Sequence, residues 1–188
     1  LFIRLMAPTG ISLHNVRLRP GLGLAAASLK GLLSRLIQKP VRNGLALVIY
    51  PIPEADWNGA FESPASLIRE LTSNGYHVRF ARVSNVDELV NKVKALTEKE
   101  PAKVLIIGGH GTRKSTRFGM EDLDGRYAVM DFYNIDKLKA IRDRLAQGGV
   151  IVLESCSTGE GKEHLSNIAN ELAAIFTQVA RILAPTEP

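Results

Sequence analysis

Cysteine is almost absent from this sequence, since Cys156 is the only one among 188 residues. A single thiol cannot form an internal disulfide, so the hydrophobic core must hold the fold together. We therefore expect a reducing compartment and predict a cytoplasmic protein. Long apolar runs are missing as well. No segment approaches the roughly 18 apolar residues that a bilayer-spanning helix needs, so no transmembrane helix is predicted.

Acidic residues are missing from the start of the chain, where seven Lys and Arg residues precede the first acid, Glu54. From Glu54 onward, 17 basic residues stand against 19 acidic ones. The net charge of +5 therefore belongs to the N-terminal segment. We expect no nucleic-acid partner for the main domain. A solvated basic arm is the simplest interpretation of the segment, and contact with a membrane or another anionic partner is the alternative.

The pattern divides the chain into an N-terminal segment, residues 1–43, and a main domain, residues 44–188. Within the segment, residues 22–39 carry leucines at helical spacing and end at Pro40, which predicts an amphipathic helix packed against the main domain. Because the chain begins with Leu1 rather than Met, we also expect it to be a fragment or a processed product.

The main domain alternates short apolar runs with helical patterns. Strands are predicted at residues 45–50, 77–83, 103–109, 149–155 and 179–185. Helices are predicted at residues 63–73, 86–99, 134–149 and 162–179, and a charged loop at 112–133. Strands separated by helices indicate an α/β fold with a mainly parallel sheet and helices on both faces.

The chemistry-bearing residues follow two of these predicted strands. One apolar strand runs into Gly109-His110-Gly111, and another runs into Ser155-Cys156-Ser157. Ligands of open parallel sheets bind at the carboxyl ends of the strands, where the two would meet. A thiol beside an imidazole is the minimum for a Cys–His nucleophile. Taken singly, Cys156 is better explained as a small buried residue and His110 as a surface or capping residue; their joint placement favours catalysis.

Other chemistries fit the same residues less well. The loop after the fourth strand resembles a phosphate-binding loop, but Cys156 and Glu163 stand where that motif needs Gly and Ser or Thr. The four histidines and one cysteine show no metal-ligand spacing. We therefore expect neither a metal nor another cofactor.

The motifs GGHG and SCSTG, each after an apolar strand and in this order, resemble those of the caspase-like cysteine peptidases. They are nearer to the separase-like and bacterial members than to animal caspases, and the resemblance covers roughly residues 45–185. It implies a three-layer caspase-like sandwich and a cysteine endopeptidase that acts on a protein or peptide and processes itself. Cys156 would be the nucleophile and His110 its proton-transfer partner. The backbone N–H groups of Gly111 and Cys156 would form the oxyanion hole.

The resemblance also places substrate-binding charges on loops at this sheet edge. Glu54 and Asp56 follow the first strand, and Asp122 lies in the charged loop after His110. Carboxylates there would favour Lys or Arg before the scissile bond. The chain departs from the family in two ways, since it stops at Pro188 and residues 1–43 have no counterpart. A non-catalytic caspase-like binding or scaffold module is therefore the alternative prediction.

Overall fold

The structure is a computed structural model that describes residues 43–121, 127–161 and 166–186. All of them belong to a compact unit that spans Pro40–Pro188. The helix predicted at residues 22–39 lies outside the described residues, so neither it nor the role suggested for the N-terminal segment can be compared with the structure. Asp122 also lies outside them.

Strands and helices alternate along the chain as the sequence pattern predicts, except that β3 to β6 follow one another without a helix. The strands are β1 (Leu45–Pro51), β2 (His77–Val83), β3 (Ala102–Gly108), β4 (His110–Thr112), β5 (Ser115–Glu121), β6 (Tyr127–Asp131), β7 (Leu145–Glu154) and β8 (Arg181–Leu183). The α-helices are α1 (Ala65–Ser73), α2 (Val86–Leu96) and α3 (Ile168–Ile175), and two 3₁₀ segments cover Pro53–Ala55 and Ile135–Arg144.

Five strands form the central sheet in the order β2-β1-β3-β7-β8, and every neighbouring pair is parallel. The middle strands are the apolar ones. All seven residues of β1 are buried. The strand is apolar throughout because it is covered on both faces of the sheet. The polar-apolar alternation of β2 fits its place at one edge. The predicted α/β class and mainly parallel sheet are confirmed.

Helices cover both faces of this sheet and give it three layers. On one face, α2, α3 and the longer 3₁₀ helix bury apolar side chains such as Leu89, Leu138 and Leu172 against the strands. On the other face, Leu67 and Leu71 of α1 pack on a smaller cluster that includes Tyr50. Parallel strands joined through helices align their carboxyl ends along one edge, which is where the loops of interest begin.

The prediction of a loop at residues 112–133 is wrong. These residues contribute most of a second sheet, in which β4, β5 and β6 pair antiparallel in that order. Thr116, Phe118 and Met130 are fully buried, whereas Arg117 between the first two is only partly buried. Residues 115–118 therefore alternate between partly and fully buried, a strand pattern that the overall polarity of the segment concealed.

Two predicted helices also differ from the structure. The one at residues 134–149 is a 3₁₀ helix that ends at Arg144, and Gly148 lies inside β7 at a left-handed φ of 69°, where the register with β3 is irregular. The helix predicted from residue 162 begins only at Ile168, because Asn167 caps it by accepting from the Asn170 N–H. Residues 162–165 lie outside the described part of the chain.

Within the described ranges, no helix combines the length and apolar character that crossing a bilayer requires.

Candidate active site

His110 and Cys156 follow neighbouring strands of the central sheet. The last paired residues of β3 and β7 are Gly108 and Glu154, and the chain reaches the histidine or the cysteine two residues after the end of each strand. The N–H of Gly109 still donates to the carbonyl oxygen of Glu154 at 3.2 Å, which ties the two chain segments together beyond the sheet. The two predicted reactive residues therefore follow neighbouring strands at the same edge of the sheet.

Asp56 holds the imidazole of His110. Its Oδ1 lies 3.2 Å from Nε2 of His110, while its Oδ2 accepts a 2.8 Å hydrogen bond from the N–H of Phe61. The Asp56 side chain is 2% exposed and that of His110 is 17% exposed. Both carboxylate oxygens are thus engaged in a nearly dry environment. In the described part of the chain, the other ring nitrogen, Nδ1, has no hydrogen-bond partner.

Two aromatic side chains enclose the same imidazole. The indole of Trp57 stacks on it with ring centroids 5.1 Å apart and planes inclined by 30°. Phe61 meets it edge-on at 5.4 Å. Phe61 is buried, whereas Trp57 is 74% exposed. The contacts with Asp56, Trp57 and Phe61 together define the orientation of the ring.

The loop that carries Asp56, Trp57 and Phe61 is anchored from β2. The Arg82 guanidinium donates to the carbonyl oxygen of Pro51 at 2.6 Å, and to those of Phe61 and Glu62 at 3.0 and 2.7 Å. One side chain therefore holds the start and the end of the loop. Since an arginine presents several donors in a fixed plane, it suits this bridging role better than a lysine would.

The cysteine loop turns sharply after β7. The unpaired thiol of Cys156 is exposed, and the next residue, Ser157, has a φ of 54°, which non-glycine residues rarely adopt. Thr158 stabilises the turn, because its buried hydroxyl donates to the carbonyl oxygen of Ser155 at 2.9 Å. Such backbone strain is common at functional sites, where the surrounding structure maintains it.

Gly111 packs directly against this turn. A Cβ atom on Gly111 would lie 2.0 Å from Oγ of Ser155 and 2.9 Å from the carbonyl oxygen of Cys156, so only glycine fits. Ser155 is buried, and its Oγ lies 3.3 Å from Oγ1 of the fully buried Thr116 on β5. The small antiparallel sheet is thereby connected to the residue before the cysteine.

A second polar pair lies where β1 and β7 end. The hydroxyl of Tyr50, at the end of β1, donates to Oε2 of Glu154 at 2.7 Å. Burial raises the pKa of the Tyr50 hydroxyl above its usual value of 10.0, and the hydrogen bond and the negative charge of Glu154 act in the same direction. The Tyr50 ring also fills the space that a side chain at Gly108 would need.

The predicted substrate-binding acids Glu54 and Asp56 differ in their exposure to solvent. Glu54 is exposed in the short 3₁₀ segment after β1. Asp56 is buried against His110, so its carboxylate is not presented to solvent. Sequence reasoning grouped the two because they are close in the chain. The tertiary contact with His110 was missed, as were the Thr116–Ser155 and Tyr50–Glu154 pairs, which carry no local sequence signal.

Comparison with models of known protein families and with curated protein sequences found no match.

Proposed function

We propose that this chain is a caspase-like cysteine endopeptidase in which Cys156 is the nucleophile and His110 transfers protons. One observation carries the proposal. An exposed thiol and an imidazole oriented by a buried carboxylate follow adjacent parallel strands at the same sheet edge. Nucleophile, base and a third group that orients the base are the constellation that acyl transfer requires.

The contact with Asp56 assigns the two nitrogens of the His110 ring. Nε2–H donates to the Asp56 carboxylate, so in the neutral ring Nδ1 is the basic nitrogen. Nδ1 takes the thiol proton as the sulfur of Cys156 attacks the carbonyl carbon of the substrate. A C–S bond forms and the carbonyl electron pair moves to oxygen. We assign Asp56 to the orientation of His110 rather than to substrate binding.

The second half of the reaction returns the enzyme to its starting state. The tetrahedral intermediate collapses, the C–N bond breaks and the leaving amine takes the proton from His110. Water then adds to the thioester with His110 as base, and the thiol is regenerated with release of a carboxylic acid. The N–H of Cys156 donates to no group in the parts of the chain that the structure describes. We propose that it and the N–H of Gly111 bind the oxyanion.

Cleavage after Lys or Arg, and self-processing, remain part of the proposal. Glu54 supports the first of these, because its carboxylate is exposed on the loop that also carries Asp56 and Trp57. Profiling peptides with each residue before the scissile bond tests it. Preferred cleavage after Lys or Arg is the expected result, and preferred cleavage after Asp would reject the basic specificity.

The experiment that tests the proposed function measures how fast a thiol-reactive peptide probe labels Cys156 at neutral pH. We expect rapid labelling of the unmodified protein and a loss of about 10²-fold or more in His110→Ala, because the general base is removed. His77→Ala is the matched control, since that histidine is exposed on β2 and, among the described residues, its imidazole has one hydrogen-bond partner, Glu100. Equal, slow labelling of unmodified protein and His110→Ala would reject the peptidase and favour the non-catalytic scaffold module.

A further inference from the structure

Trp57 is the only tryptophan of the chain, and it is 74% exposed at the edge of the candidate site. Exposure of so large an apolar side chain is unfavourable, because its surface remains in contact with water. Indole rings left open at a protein surface are frequent anchors in binding interfaces. The position of Trp57 beside His110 therefore requires an explanation beyond packing.

The loop geometry holds the indole in place. Asp56 immediately before it is buried, and its N–H donates to the carbonyl oxygen of Pro53 at 3.0 Å. After it, Asn58 Oδ1 accepts from the N–H of Ala60 at 3.1 Å, and Gly59 turns the chain with a φ of 73°. One face of Trp57 stacks on His110. The remaining surface of the ring is therefore open but fixed, as preorganised binding requires.

We propose that Trp57 forms the wall of a subsite for an apolar side chain of the substrate, on the leaving-group side of the scissile bond. This inference rests on the proposed peptidase function. Because His110 gives its proton to the leaving amine, the segment that follows the scissile bond must pass next to the imidazole. The indole stacked on that ring is then the nearest large surface for the first side chain of that segment.

A role in orienting His110 does not by itself explain why Trp57 is exposed. The carboxylate of Asp56 and the buried edge of Phe61 already fix the imidazole from two directions. An aromatic residue that served only to support the ring could be covered by its own loop. Contact with a substrate side chain would instead remove the apolar surfaces of both partners from water, and the gain would occur only when substrate binds.

The first test is a peptide series that varies only the residue after the scissile bond. The measured quantity is the ratio of kcat/KM for Leu or Phe to kcat/KM for Gly at that position. We expect a ratio of about 10 or more, falling to about 1 in Trp57→Ala and largely kept in Trp57→Phe. A ratio within one variant is unaffected by a general loss of activity. Tyr133→Ala, which removes an aromatic side chain 96% exposed after β6, is the matched control.

The second test uses tryptophan fluorescence as a direct signal of binding. In Cys156→Ala, which lacks the nucleophile, the emission reports Trp57 alone. Titration with peptides that carry Leu or Phe after the scissile bond should shift the emission to shorter wavelength, because the indole becomes less exposed to water. Peptides that carry Gly there should produce no such shift.

The outcomes separate this inference from the proposed function. If the unmodified protein cleaves peptides but Trp57→Ala keeps the same ratio, the subsite is rejected and the peptidase stands. If Trp57→Ala changes only the preference before the scissile bond, the leaving-side assignment is rejected. If no peptide is cleaved and Cys156 labelling is independent of His110, the proposed function fails and the subsite fails with it.

Discussion

Gly111 and Ser155 approach so closely that a Cβ atom on Gly111 would lie 2.0 Å from Oγ of Ser155. The same atom would lie 2.9 Å from the carbonyl oxygen of Cys156, so Gly111→Ala must push the histidine and cysteine segments apart. We expect a fall of about 1–3 kcal/mol in the free energy of unfolding. We also expect probe labelling of Cys156 to slow by about 10²-fold. Urea unfolding and labelling rates measure the two effects.

The control for this prediction is Gly148→Ala in the first half of β7. No atom lies within 4 Å of a Cβ placed there, but φ is 69°, so the substitution strains the backbone without a clash. A stability loss of about 1–2 kcal/mol with normal labelling is expected. Normal labelling of Gly111→Ala would contradict the tight packing of the two segments.

Asp56→Asn tests the orientation of His110. The amide oxygen can still accept from the N–H of Phe61, so the fold should be kept, but the carboxylate that accepts from Nε2–H is lost. We expect labelling of Cys156 to slow by about 10²-fold while stability changes by about 1 kcal/mol or less. Glu62→Gln removes an exposed carboxylate from the same loop and is the matched control. Equal labelling rates for the two variants would remove Asp56 from the proposed mechanism.

Thr116→Val tests the buried contact between the small sheet and the cysteine turn. The substitution keeps the shape of the side chain but leaves Oγ of Ser155 without the hydroxyl that lies 3.3 Å away. An unsatisfied buried hydroxyl should lower the free energy of unfolding by about 1–3 kcal/mol, as measured in urea. Thr116→Ser keeps the hydroxyl and should retain normal labelling of Cys156. A fully stable Thr116→Val protein would show that this contact contributes nothing.

Tyr50→Phe should change how stability depends on pH. The pKa of Tyr50 is raised in the folded protein, mainly by burial, so the stability due to its protonated form is present below pH 10.0 and lost as the pH rises further. Tyr50→Phe should therefore lose less stability above about pH 10, by up to about 1.4 kcal/mol per pH unit. Denaturant unfolding at a series of alkaline pH values measures the difference. Identical pH dependence would contradict a buried, hydrogen-bonded hydroxyl.

Much of the central sheet follows from local sequence patterns. The run at β1 is apolar throughout because the strand is buried on both faces, and residues 77–83 alternate because β2 lies at an edge. Helix α2 was predicted at residues 86–99 and occupies Val86–Leu96, with Asn85 as its cap. These features depend on neighbouring residues only, so hydrophobic periodicity and capping chemistry reveal them.

The missed features depend on contacts between distant segments. His110 is 54 residues from Asp56, and Thr116 is 39 residues from Ser155. No local pattern distinguishes Asp56, which is buried, from Glu54, which is exposed two residues earlier. Sequence reasoning placed His110 and Cys156 at one sheet edge, since strand order and direction suffice for that. Whether Glu54 or Asp56 contacts the imidazole of His110 depends on the path of the whole loop after β1.

Arg82 anchors the loop that contacts His110, although it lies on β2 at the edge of the central sheet. Three carbonyl oxygens of the Pro51–Glu62 stretch converge on one guanidinium that touches neither His110 nor Cys156. Loss of that cation would release the segment bearing Asp56 and Trp57 at both of its ends. The position of that loop thus depends on one residue of an edge strand, Arg82, as well as on the contacts that Asp56 and Trp57 make with His110.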